Sequence, residues 1–370
     1  MNGTAAQDTL KRDDTADPRT WGRQDVEMNY KPYIYDVSLP ELTAWVEAHD
    51  FEPYRVRQIR SWLWKGVSDS SELTNIPENM RKRLEEHFDF DGLKLVQRIP
   101  SELDSTTKYV SQLADGSVIE TVYMKYRQGT SVCVSTQVGC KMGCDFCASS
   151  KAGFGRNLTT GEMLAQVALV ARDQDRRIDH LVLMGMGEPF DNYENVLRFI
   201  KTANDPKGFN IGMRRMTIST CGLVPEINRF AEEQLQVTLA ISLHAPNDAL
   251  RQKLMPIAKR YDLRSLIKAC RDYTLKTKRR ITFEYNLIAG VNDRDEHAYE
   301  LIQLLKGMLA HVNIIPMNEI DDSPYKRPAT DRVNRFLNLL EDGGLNATVR
   351  RELGADIDAA CGQLRRRYEA

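Results

Sequence analysis

The 370-residue sequence has no apolar run approaching the roughly 20 residues that span a bilayer, so it predicts no membrane helix. Its opening stretch, MNGTAAQDTLKRDD, lacks the apolar centre of a secretory signal, and the protein is expected to stay in the cytoplasm. Net charge is almost absent: 51 Lys+Arg against 52 Asp+Glu give −1, with 42% hydrophobic and 28% charged residues. This composition excludes a collagen, a mucin and a wholly disordered chain. At about 150 residues per domain the length fits two or three domains, or one large α/β unit with an accessory piece. Seven cysteines, an odd number with no export signal, argue against a disulfide framework.

The near-zero total hides a local imbalance, because Arg251 to Arg280 hold eleven Lys/Arg against two Asp/Glu. Any single charge there reads as part of a solvated helix face. Taken as a segment, the run points to a polyanionic partner.

Residues 1–30 mix Asp, Thr, Ala and Arg without hydrophobic periodicity and are expected to be a disordered lead. A helical accessory domain is expected over 31–95. Ser38 and Glu41 form a capping box, Pro40 sits in the first turn, and Leu39, Leu42, Trp45 and Val46 keep helical spacing. Two further helical patterns follow near Val56–Lys65 and Pro77–Phe88. Trp45, Trp62 and Trp64 could stack on bases, but at helical spacing they fit the core of a small bundle better.

Over 96–130 the period changes to two. Lys108–Ala114 and Ser117–Tyr126 alternate around Asp115-Gly116, a two-residue hairpin signal, and a third strand at Ser131–Thr136 enters a cysteine loop. From 131 to 352 strands and helices alternate in about six βα units, which predicts a parallel sheet that is doubly wound or closes into a barrel, with a C-terminal tail over 353–370. Gly185 to Pro189, Ser219-Thr220, Ser242 to His244 and Asn318 then share the rim at the strand ends, where ligands of α/β proteins bind.

Cys140, Cys144 and Cys147 stand in GCKMGCDFC with C-x3-C-x2-C spacing. Three cytosolic thiolates on one loop suit iron-sulfur or zinc. Structural zinc wants a fourth protein ligand, and no second CxxC or HxxxH lies nearby to supply it. An iron-sulfur cluster with one open iron can bind a substrate directly.

With Phe146 before the last cysteine and a βα pattern downstream, this loop resembles that of the radical S-adenosylmethionine (SAM) enzymes. VCVSTQVGCKMGCDFCA, MGMGEP, AISLHAPND and DIDAACGQL together resemble the RlmN/Cfr family of RNA adenine methyltransferases, with matching segments from about residue 38 to 364. Gly187-Glu188-Pro189 followed by Phe190 and Asp191 is similar to the branch that methylates carbon 2 rather than carbon 8. The resemblance implies a partial (β/α)6 radical SAM barrel behind the helical domain and connecting hairpin. It also implies adenosines of 23S rRNA and tRNA as substrates, and reduced flavodoxin or ferredoxin as electron donor. Cys140, Cys144 and Cys147 match the ligands of a 4Fe-4S cluster. Gly187, Glu188, Ser219, Ser242, Leu243, His244 and Asn318 match contacts to SAM. Cys361 matches a methyl-carrying cysteine, Cys133 a second catalytic thiol, and Glu120 the proton acceptor.

The implied chemistry explains these groups. An adenine C–H carbon is not a nucleophile at neutral pH, so it cannot attack the SAM methyl as an amine would. In the implied route the Cys361 thiolate first takes a methyl from one SAM. A radical from a second SAM removes hydrogen from that S-methyl, and the resulting methylene radical adds to the ring. Release then needs a base and a second thiol closing a disulfide with Cys361. On its own each residue has a plainer reading: Glu120 as a strand-edge carboxylate, Cys133 as a small core hydrophobe, His244 as a strand-end cap, and Met184 and Met186 as core filling. Cys221 and Cys270 read as structural. The resemblance leaves as competitors a radical SAM enzyme with another substrate and a zinc-dependent RNA-binding module. The target base must leave its stack. The basic run, with Lys141, Lys151 and Arg156 near the cysteine loop, is expected to hold phosphates.

Overall fold

The computed structural model describes residues 31–151, 153–320 and 323–364. The lead expected at 1–30 lies outside them. The first unit contains α1 (Leu39–Ala48), α2 (Tyr54–Leu63) and α3 (Glu78–His87). The α1 capping box is formed in both directions: Glu41 N–H donates to Ser38 Oγ (3.3 Å) and Ser38 N–H to the Glu41 carboxylate (2.7 Å). Such a cap stabilises a helix by about 1 kcal/mol. Leu42, Val46, Ile59, Leu73, Met80 and Leu84 are buried between the helices. Trp45 packs edge-on to Phe88 at 5.4 Å and belongs to this core. The unit is fastened to the rest of the chain by Asp36, whose carboxylate accepts the Gly161 N–H (2.6 Å) at the start of a helix, where the dipole favours negative charge. A Cβ on Gly161 would lie 2.6 Å from the Asp36 backbone nitrogen, so glycine is required for that approach.

Among the described residues the main sheet has ten strands. β1 (Leu93–Pro100), β2 (Thr107–Leu113), β3 (Val118–Tyr126) and β4 (Gly129–Cys133) pair antiparallel in succession. The Asp115-Gly116 turn is present, with Gly116 at φ +82°. The hairpin expected as a connection is therefore part of the main sheet, and β1, for which the sequence carries no clear alternation, lies beside it. β4 then pairs parallel with β7 (His180–Leu183), followed in spatial order by β8 (Met216–Thr220), β9 (Thr238–Ser242), β10 (Ile281–Leu287), β11 (Ala310–Pro316) and β12 (Ala347–Val349). The crossovers are α5 (Thr160–Asp173), α6 (Tyr193–Ala203), α7 (Val224–Glu232), α9 (Leu263–Thr277), α10 (Asp295–Leu305) and α11 (Thr330–Asp342). A short α8 (Asp248–Leu254) precedes α9. Six βα units and an open strand order make this the expected partial barrel.

Period two explains which way the strands face. In β10, Phe283 and Tyr285 are wholly buried in the main apolar core, while the intervening Glu284 and Asn286 are also buried and border a cleft. A separate ribbon, β5 (Gln137–Gly139) with β6 (Phe154–Asn157), holds the two ends of the cysteine loop together. Gly139 has φ +72°, and a Cβ there would fall 1.8 Å from the Gly153 carbonyl oxygen, so only glycine closes this ribbon. Between its strands lies α4 (Ala148–Lys151).

The basic run does not form one surface. Arg251 is wholly buried. Lys268 pairs with Asp272 (2.6 Å), Lys276 with Glu232, and Arg271 donates to the carbonyls of Leu304 and Lys306. Lys276, Lys278, Arg279 and Arg280 immediately precede Ile281, the first residue of β10, and so lie at the N-terminal end of the sheet. At about 3.3 Å per residue, a seven-residue strand puts them roughly 20 Å from the rim. Phosphates held by these residues lie at that end of the sheet and not at the rim, because chain direction carries α9 away from the site.

Candidate active site

A cleft opens at the C-terminal ends of β7 to β10. Cys140, Cys144, Cys147, Gly187, Glu188, Ser219, Ser242, His244 and Cys361 all line it. The cysteine loop is fixed there by its backbone: Cys140 N–H donates to Gly153 O (3.0 Å), Asp145 N–H to Leu254 O (3.0 Å) and Ala148 N–H to Gly362 O (2.8 Å). Burial pushes the Cys140 thiol up to about 12 and raises Cys144 well above the ordinary thiol range. Each also feels the neighbouring Cys147. Metal binding must displace these protons.

Among the described residues no three His, Cys, Asp or Glu side chains converge on a single-ion site. A tetrahedral zinc would need its sulfurs about 2.3 Å from one point. Three thiols lining one cleft can each take a different iron of a polynuclear cluster and leave one iron without a protein ligand. The donor set therefore fits a 4Fe-4S group.

Gly187 has φ +103°, and a Cβ would meet the Gln137 side chain at 2.5 Å, so the backbone passes the cleft wall only as glycine. Glu188 is buried, which raises its carboxyl pKa. Its two oxygens accept the N–H groups of Cys221 (2.8 Å) and Phe190 (3.0 Å), and the Thr220 and Cys221 side chains also bond to it. The hydroxyls of Ser219 and Ser242 lie 3.4 Å apart across β8 and β9. His244, at φ +57°, accepts the Asn286 N–H at Nδ1 (2.9 Å), which assigns its ring proton to Nε2. Burial, then the Arg251 charge, lower its pKa to about 3, so the ring is neutral. Leu243 is wholly buried and borders neither cavity, its carbonyl being held by Arg251 Nε (3.2 Å).

A second, narrower cavity adjoins the first. Cys133, Asn318 and Arg350 line it, and Cys361 borders both cavities. Asn318 faces this second space and donates to the Cys361 carbonyl (3.0 Å). Burial raises the Cys361 thiol while the Arg350 guanidinium opposes the rise, and burial takes Cys133 to about 12. The disulfide expected between them is absent, since all seven cysteines are free thiols. Cys133 is locked in the β4 ladder opposite Val122 and Val182, whereas Cys361 follows β12 on a separate loop. Glu120 borders neither cavity. It is buried in β3 with its carboxylate 3.2 Å from Lys108 Nζ, and that same Nζ lies 3.5 Å from the Asp358 carbonyl in the Cys361 loop.

Sequence reasoning missed Glu284, Asn286 and Arg350. Asn313 donates to Glu284 (2.8 Å), and Arg350 lies 3.8 Å from the same carboxylate. A polar residue at every second position of a barrel strand otherwise built of Ile, Phe, Tyr and Leu was the available signal.

Residues 134–302 match the radical SAM superfamily model, and residues 33–89 match that of the ribosomal RNA large subunit methyltransferase N-terminal domain. A probable dual-specificity RNA methyltransferase RlmN from Clostridium tetani is 50% identical over 335 residues, spanning 90% of this chain and 96% of the relative. The Thermoanaerobacter sp. protein of the same description is 52% identical over 90% of this chain and 98% of its own. The chain belongs to the RlmN family. The crystal structure of a radical SAM methyltransferase from Sphaerobacter thermophilus superposes with a TM-score of 0.87 at 47% identity, covering 90% of this chain and 99% of that one. With membership come the 4Fe-4S cluster and SAM of radical SAM enzymes, and the helical unit over 33–89 is a recognised part of RlmN architecture. No described helix is long and apolar enough to cross a membrane.

Proposed function

We propose that this chain methylates carbon 2 of adenosine in 23S rRNA and tRNA in the cytoplasm, taking electrons from reduced flavodoxin or ferredoxin. The observation that carries the reading is the position of Cys361 on the wall shared by the two cavities. A thiol there meets SAM on one side and a base on the other. Cys140, Cys144 and Cys147 would hold the cluster. Gly187, Glu188, Ser219, Ser242 and His244 would hold SAM, with Leu243 and Asn318 as further contacts. When bound, the cluster supplies one-electron cleavage of SAM and so a carbon radical able to take hydrogen from a methyl group.

The chain's own residues do the rest. Cys361 must lose its proton to accept a methyl, and Arg350 favours the thiolate. The cleft walls exclude water while Glu188 orients the bound amino acid portion of SAM. After the methylene carbon has joined the adenine, Glu120 takes the ring proton once Lys108 releases its carboxylate. Cys133 then attacks the Cys361 sulfur as the bond from that sulfur to the methylene carbon breaks; the Cys133 proton completes the methyl group, the unpaired electron of the adduct would return to the oxidised cluster, and the two sulfurs are left as the disulfide that the resting structure lacks. Reduction of that disulfide resets both thiols.

The test is anaerobic incubation of cluster-loaded protein with SAM, reductant and RNA, followed by nucleoside mass spectrometry. 2-Methyladenosine is expected in both RNA classes. 8-Methyladenosine would overturn the positional assignment, and unmodified RNA would overturn the activity.

A further inference from the structure

Arg251 stands at the head of the basic run, yet its side chain is among the largest that are wholly buried. It sits in α8, just after the β9 end that carries Ser242, Leu243 and His244. Nη2 donates to the Cys221 carbonyl (2.7 Å) and the Ser242 carbonyl (3.3 Å), and Nε donates to the Leu243 carbonyl (3.2 Å). One guanidinium thereby ties the ends of β8 and β9 together behind the cleft wall. Nη1 has no hydrogen-bond partner. The charge is thus only partly compensated by dipoles, and a buried cation needs an anion near it.

Around Arg251 lie Asp248 on its own helix, Cys144 of the cysteine loop, Cys221 and Cys270. His244, also nearby, is neutral. Asp248 is partly engaged, since it accepts the Leu263 N–H (2.8 Å). Of these groups Cys144 belongs to the cysteine loop, and Cys221 links Arg251 to buried Glu188: its N–H donates to the Glu188 carboxylate and its carbonyl accepts from Arg251.

We propose that Arg251 is the buried counter-charge of the cluster, a positioning residue that raises the cluster's reduction potential and at the same time sets the β8 and β9 strand ends. The proposal rests on the reading that Cys140, Cys144 and Cys147 hold a 4Fe-4S group. Adding one electron from the external donor places another negative charge in a low-dielectric site already holding three thiolates and Glu188. A fixed cation behind the wall stabilises the reduced form more than the oxidised one.

The test compares Arg251→Met, Arg251→Gln and Arg251→Lys after anaerobic reconstitution. Iron and sulfide are assayed, and the reduction midpoint is followed by electron paramagnetic resonance without SAM or RNA. The neutral variants should shift the reduction equilibrium at least tenfold toward the oxidised form, which is about 59 mV for one electron. Arg251→Lys should stay within threefold of the wild type. Neutral variants that load iron and titrate within twofold of the wild type overturn the proposal, as does a Lys variant shifted as far as Met. If neither neutral variant loads iron, Arg251→Lys decides: normal loading with an unshifted midpoint supports the counter-charge, and failure to load overturns it by showing that guanidinium shape, not charge, is required. Wild-type protein that takes up no iron and sulfide would sink the cluster reading itself, a separate outcome.

Discussion

The two ends of the parallel sheet differ in what their charges do. At the N-terminal end, Lys276 to Arg280 form the densest cationic stretch of the sequence, yet they lie beside the first residue of β10 and serve helix ends and ion pairs. At the C-terminal end fewer cations are present, but Lys141, Arg327, Arg350 and Arg351 border the cysteine loop or the second cavity. Charge density along a chain does not locate a binding face, because a parallel βα unit alternates between two ends some 20 Å apart.

The largest effect expected at the rim is loss of the cluster. Ala at Cys140, Cys144 or Cys147 should bring methylation to background and remove the brown absorbance, checked by iron and sulfide analysis. Full iron loading with normal turnover in any one variant would break the assignment of this end as the chemical one.

Next come the two thiols flanking the second cavity. Cys361→Ala should keep the cluster and abolish methyl transfer. Cys133→Ala should still methylate Cys361 and add to RNA, then stall as a covalent RNA–protein adduct mapping to Cys361 by mass spectrometry of peptides. Normal turnover by Cys133→Ala would reduce that residue to strand packing.

A smaller, graded effect belongs to Arg350. Burial raises the Cys361 pKa and Arg350 lowers it, so Arg350→Met should raise it further. The thiolate fraction at neutral pH then falls, by about tenfold for a one-unit shift, and methyl uptake by Cys361 should recover as pH rises. Labelling from radioactive SAM across a pH series from neutral to alkaline reads this, and a profile superposable on the wild type would sever Arg350 from the thiol.

The smallest effect sharpens the contrast between ends. Neutralising Lys276, Lys278, Arg279 and Arg280 together should change RNA affinity less than twofold and leave the salt dependence intact. Neutralising Lys141, Arg327 and Arg351 should flatten the log–log salt slope by about 0.7 to 0.9 for each phosphate left without its cation. Filter binding at several salt concentrations tests both, and the reverse pattern would restore the basic run as the RNA surface.

Much of this architecture is legible in the residues. The Ser38 capping box, the Asp115-Gly116 turn and the alternation of six βα units follow local rules of capping, turn conformation and periodicity, and each is present as expected. The cysteine loop and the GEP turn were legible for the same reason, being contiguous. Features that depend on distant parts of the chain meeting were not. Glu284 and Arg350 become neighbours only because β10, β11 and β12 pair in order, and Arg251 turns from a surface charge into a core one only when α8 folds back under β9. The Lys108 partner of Glu120 was equally hidden, since pairing across the hairpin depends on register rather than spacing.

The segment that closes the barrel mouth is also the last part of the site to be synthesised. Ser149, beside the cysteine loop, donates to the Leu364 carbonyl, a partner 215 residues later in the chain. Gly354, Asp356, Asp358 and Cys361 are likewise tied to residues of the hairpin or the loop after β11. At roughly 5 to 20 residues per second, a ribosome needs on the order of 10 to 40 s between making the cysteine loop and making the segment that packs on it. Until those residues arrive, the loop lacks the two hydrogen bonds, from Ala148 N–H to the Gly362 carbonyl and from Ser149 to the Leu364 carbonyl, that tie it to the C-terminal segment.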